Sequence, residues 1–119
     1  MDTHVVLWWL LASRRIRPEH AALLADPETT VWVSAATVWE IGIKRRLGRL
    51  RFSAPISESC LAAGFGLLPV GAQHAEVAGA LDLHHRDPFD RMLVAQAQVE
   101  QMAIMTVDPV FDAYDVATV

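Results

Sequence analysis

An α/β fold built on a parallel sheet is predicted from three observations. Short runs of β-branched and apolar residues recur along the chain, and stretches with helix-start signals separate them. Hydrophobic residues make up 53% of the 119, above the roughly 45–50% of an average globular chain, which suits strands buried on both faces. Residues 30–34 (TVWVS), 66–70 (GLLPV), 103–106 (AIMT) and 116–119 (VATV) are the predicted strands. Among the helices, Pro18 takes a first-turn position and residues 19–25 continue helically until Asp26-Pro27 stops them. A second helix is expected from about Thr37 to Leu47, with Val38, Ile41 and Trp39 facing inward and Gly48 ending it. Asp87-Pro88-Phe89-Asp90 supplies an N-cap, a first-turn proline and a first-turn acid for a helix continuing over residues 92–101. Residues 3–11 are apolar throughout after His4, so periodicity cannot place them; propensity alone favours a strand. Gly and Pro are scattered rather than pooled in a linker and no repeat is present, so residues 1–119 read as one domain.

The net charge of −4, from 14 acidic and 10 basic groups, excludes the broad basic field of a protein that coats nucleic acid. Any such contact is local. Lys44, Arg45, Arg46, Arg49 and Arg51 place five of the ten basic residues within eight positions, either a solvated face or a contact for a phosphate backbone. The single cysteine, Cys60, forms neither an intrachain disulfide nor part of a zinc site, which points to the cytoplasm. Residues 5–12 are too few to span a bilayer and follow Asp2 rather than the Lys or Arg of a signal peptide, so no membrane association is expected. The apolar excess leaves room for a homodimer interface.

Four acids, Asp2, Glu40, Asp90 and Asp108, stand beside predicted strand ends or helix starts, where ligands collect in parallel α/β sheets. Carboxylates suit hard divalent cations such as Mg²⁺. Each also has a structural explanation. Asp90 suits a helix dipole, Asp108-Pro109 a turn, Asp2 a solvated terminus, and Glu40 an ion pair with Lys44 four residues on. Glu40 nevertheless sits among Val38, Trp39, Ile41 and Ile43, where a carboxylate needs a partner. Thr106, two residues before Asp108, offers a hydroxyl to position water at such a site. His84-His85 is a candidate metal pair or base, read instead as loop histidines.

In order along the chain, DTHVVLWWL at 2–10, SAATVWEIGIKRRLGRL at 34–50, HHRDPFDRMLVAQA at 84–97 and TVDPVF at 106–111 resemble the PIN-domain family, in particular its VapC-type toxins of bacterial toxin–antitoxin pairs. The resemblance implies a three-layer α/β/α fold with a central parallel sheet of four to five strands, and a helix after Asp2 in place of the strand that propensity favours. It implies a ribonuclease dependent on Mg²⁺, or on Mn²⁺ in its place, with Asp2, Glu40, Asp90 and Asp108 as the acidic residues. A VapB-type antitoxin and an RNA substrate are the implied partners. Family members carry a short apolar strand before the first aspartate; here Met1 alone precedes Asp2, so either the start codon is assigned too late, or the chain is clipped, or the first strand is vestigial.

Carboxylates about 5 Å apart repel by roughly 3 kcal/mol per pair at an effective dielectric of 20, and a cation resolves that repulsion. A receiver domain of similar size requires a lysine late in the chain, whereas the only lysine is Lys44. A PIN-like module that acts only by binding protein is the remaining rival.

Overall fold

The computed structural model describes residues 1–84 and 86–119. The order is α1 (Thr3–Leu10), α2 (Pro18–Ala25), β1 (Trp32–Ser34), α3 (Ala35–Arg46), α4 (Ile56–Ala62), β2 (Gly66–Leu68), α5 (Ala72–Ala80) and α6 (Pro88–Glu100), followed by a 3-10 turn at Pro109–Ala113. The class is α/β, and the sheet is shorter than expected. β1 and β2 pair in parallel, Trp32 opposite Gly66 through Ser34 opposite Leu68. Residues 103–106 and 116–119 contribute one parallel bridge, Ile104 opposite Thr118, in place of two full strands.

Between these two pairs lie the first two residues. The Met1 ammonium donates to the Trp32 carbonyl at 3.3 Å, and the Asp2 N–H donates to the Met105 carbonyl at 3.0 Å. Met1 and Asp2 therefore join both halves of the sheet over two residues. Consecutive side chains beyond them point to opposite faces: Met105 packs with Val5, Leu24, Val33 and Ile41, while Ile104 packs with Leu93, Val94 and Phe111. Helices thus cover the sheet on both sides.

Residues 3–10 form a helix, correcting the propensity reading. The Asp2 side chain caps α1 by accepting from the Val5 N–H at 3.0 Å, and Val5, Val6 and Leu7 are buried together, so tertiary burial outweighs β propensity. Ser34 ends β1 and caps α3 in one step, accepting from the Ala36 N–H at 3.0 Å; this starts α3 two residues earlier than expected. Gly48, at φ +73°, follows its end. Trp39, expected to face inward, is 66% exposed and instead lays its ring against Phe89 of α6, centroids 5.3 Å apart at 71°. Helices α4 and α5 were not anticipated. Asp87 caps α6 as expected, accepting from Phe89 N–H at 2.8 Å.

Gly66 faces the Trp32 indole, and a Cβ there would stand 2.6 Å from two ring atoms. Gly66→Ala is expected to cost about 1–2 kcal/mol in urea denaturation, because the ring must leave the strand. Most of that cost should vanish in a Trp32→Ala background. Equal costs in both backgrounds would show that the ring is not the obstacle.

Candidate active site

Asp2 is 3% exposed, so it is no solvated terminus. Its position follows from the fold: the residue bonds the Met105 carbonyl through its N–H and caps α1 with its side chain. One oxygen accepts from the Val5 N–H and the other from the Thr106 hydroxyl. The Thr106 oxygen in turn accepts from the Asp108 N–H at 3.0 Å, and Asp108 caps the 3-10 turn through the Val110 N–H at 3.0 Å. Thr106 therefore fixes the Asp2 carboxylate and the Asp108 loop at once.

A second chain begins one residue later. Thr3, in the first turn of α1 and 4% exposed, donates its hydroxyl to one Glu40 oxygen, and Lys44 pairs with the other at 2.9 Å. The Glu40 side chain is only 12% exposed, so this pair is more than a solvent-screened surface contact. Thr3 was missed in the sequence; its neighbour Asp2 carried the signal and Thr3 itself looks like an ordinary helix-start residue. The two chains, Lys44–Glu40–Thr3 and Asp2–Thr106–Asp108, meet at residues 2 and 3.

Asp90 lies half-buried in the first turn of α6. The Trp39–Phe89 ring contact ties the residue before Glu40 to the residue before Asp90, bringing the start of α6 against α3. Beside Asp108, a polar depression of about 230 Å³ is lined by Arg17, Thr106, Asp108, Asp112 and Thr118. Arg17, a second residue the sequence reading missed, is exposed there just before α2 and brings positive charge to the acids.

Carboxylate and hydroxyl oxygens are the donors that Mg²⁺ and Mn²⁺ prefer, and soft donors take no part. Among the described residues, however, no three His, Cys, Asp or Glu side chains stand together as a ready ligand group. The donor chemistry fits a hard divalent cation, with the acids held by Thr3, Thr106 and Lys44 rather than gathered into a cage. Burial draws the pKa of the nearby Met1 ammonium below its ordinary value, with Asp2 and then Cys60 opposing the shift. The Cys60 thiol, fully buried, is pushed up by desolvation, which the Met1 ammonium partly offsets.

The sequence pattern of the PIN domain family matches residues 1–117. The chain belongs to the PIN domain family. PIN domains are generally nucleases and typically use divalent metal ions. Comparison with curated proteins finds no match.

In this PIN domain the basic cluster divides. Lys44 serves Glu40, while the Arg45 guanidinium donates to the Ala54 carbonyl at 2.8 Å and lies 5.7 Å from the Phe52 ring centre. Arg46, Arg49 and Arg51 are exposed. His84 packs edge-on against Tyr114, and His85 lies outside the described residues. No helix among the described residues is long and apolar enough to cross a membrane.

Proposed function

We propose that this PIN domain is a Mg²⁺- or Mn²⁺-dependent endoribonuclease, the toxin of a VapBC-type toxin–antitoxin pair. The observation that carries the reading is the buried Asp2 carboxylate joined through Thr106 to Asp108 at the end of the sheet. Asp2, Asp90 and Asp108 would hold the cation directly or through water, since they are not gathered into a ready ligand group, with Glu40 as a further ligand or as the group that orients the attacking water. When bound, the cation supplies acidification of that water and stabilisation of charge developing on the phosphate. The chain's own residues do the positioning. Thr106 holds Asp2 in one orientation, Lys44 and Thr3 hold Glu40, and Arg17, Arg46, Arg49 and Arg51 offer charge for the RNA backbone. The same reading gives the protein a cognate VapB-type antitoxin and a second copy as partners in the cytoplasm. Exposed Trp39, Leu47 and Leu61 supply apolar surface for such contacts.

One specific observation favours a second reading, a PIN module that acts only by binding protein: both Glu40 oxygens already have partners within the chain. A cleavage assay on synthetic RNA separates the two. The wild-type protein is expected to cut with Mg²⁺ or Mn²⁺ and to stop with chelator. Asp90→Asn and Asp108→Asn should each lose at least about 100-fold in rate while unfolding at the same urea concentration. No cleavage by the wild type in either metal would leave the binding module as the function.

A further inference from the structure

Asp2 and Asp108 are held by neutral donors, the Val5 and Val110 N–H groups and the Thr106 hydroxyl, which leave the carboxylate charge unspent. Glu40 is held differently. One of its oxygens accepts from the Thr3 hydroxyl, and the other meets the Lys44 ammonium at 2.9 Å, one turn further along α3. With its side chain 12% exposed, Glu40 carries a charge that water screens only in part, and Lys44 supplies the compensation.

The two partners are not equivalent. Thr3 is buried and fixed in the first turn of α1. Lys44 lies in the last turn of α3, its side chain 32% exposed on a long flexible stem. On leaving Glu40 the ammonium regains water, whereas the carboxylate stays enclosed and needs another positive charge. The helix end does not depend on Lys44 either, because Arg45 and Arg46 share the last turn and serve its dipole. Lys44 is thus the removable partner and Thr3 the permanent one.

We propose that Lys44 is an exchangeable counter-ion, which neutralises Glu40 in the absence of a divalent cation and must give up the carboxylate oxygen for the site to load. The inference rests on the cation-site reading of Glu40 and adds a competition to it. Two positive charges cannot share that oxygen without strong repulsion at such short range, so the attraction between Lys44 and Glu40 is subtracted from the affinity for the metal. The pair seen between Glu40 and Lys44 is then one of two alternatives open to the carboxylate, and its full set of partners within the chain does not confine it to a structural task.

The test titrates Mn²⁺ calorimetrically into the full chain and into Lys44→Met, Lys44→Arg, Glu40→Gln and the double variant Glu40→Gln/Lys44→Met. All are compared at one pH and one salt concentration, with folding checked by circular dichroism. Lys44→Met is expected to bind Mn²⁺ at least about tenfold tighter than the wild type, and Mn²⁺ should raise its Tm further. Lys44→Arg keeps the charge and should gain nothing. In the Glu40→Gln background the gain from Lys44→Met should vanish, since its route is through that carboxylate. If Lys44→Met does not fold, Lys44→Gln takes its place with the same expectations. Equal or weaker Mn²⁺ binding on removal of the Lys44 charge overturns the proposal, as does an equal gain in Lys44→Arg. A gain of full size in the Glu40→Gln background also overturns it, because Lys44 would then act only as a distant field. Failure of every protein to bind Mn²⁺, the wild type included, is the separate failure of the cation-site reading and removes the proposal with it. No readout depends on RNA cleavage.

Discussion

Replacing Asp2 by alanine is expected to lower the unfolding free energy by about 2–4 kcal/mol, the sum of a lost helix cap near 1 kcal/mol and a buried hydroxyl deprived of its carboxylate acceptor. For a chain of this length that is a fall in Tm of roughly 10 °C. Asp2→Asn separates structure from chemistry. Its side-chain oxygen still caps α1 through Val5, and the Thr106 hydroxyl can turn to accept from the new amide, so most of the stability is retained. The negative charge is gone, and calorimetric Mn²⁺ binding should weaken by at least about tenfold. Undiminished Mn²⁺ affinity in Asp2→Asn would remove Asp2 from the cation site and leave it as a cap.

The second large effect is on the wild-type protein. At a hundredfold excess over its Kd, a cation that binds only the folded state adds about 2.7 kcal/mol, again roughly 10 °C in Tm. The shift is expected at neutral pH with Mg²⁺ or Mn²⁺ and should be reversed by chelator. Near pH 4.5 it should shrink strongly, since protons compete with the cation for carboxylate oxygens in acid. A scanning-calorimetry series at the two pH values decides the matter. An equal or larger shift in acid would mean that the cation binds somewhere other than the carboxylates.

The parts of the molecule legible in the sequence are those with local causes. Asp87-Pro88 capping α6, Pro18 opening α2 and Gly48 following α3 all act within a few residues of themselves. What escaped had non-local causes. Residues 3–10 adopt a helix because the buried cluster around Val33 and Met105 receives them, which a window on THVVLWWL does not contain. Trp39 lies outside because Phe89, fifty positions on, offers it an edge. The acids Asp2, Glu40, Asp90 and Asp108 were conspicuous by residue type and context. Their connectors Thr3 and Thr106 differ: Thr106 drew notice beside Asp108, and Thr3 gave no sign of its bond to Glu40. Helices α4 and α5 are short, and α5 is rich in alanine, without the spacing of large apolar side chains that marks an amphipathic face.

The Asp2–Thr106 bond spans 104 positions, and its neighbour between Asp2 and Met105 spans nearly as many. A chain made from its first residue onward therefore carries Asp2 long before the threonine that fixes its carboxylate has been joined. Closing so long a loop costs about 4 kcal/mol of chain entropy by its length dependence alone, so contacts among nearby residues form first. The link between Asp2 and the Asp108 loop is consequently among the last features to acquire its final geometry. Between the making of residue 2 and of residue 106 a growing chain carries the Asp2 carboxylate uncoupled from the Asp108 loop, and whatever chemistry needs both begins only when those two segments have met.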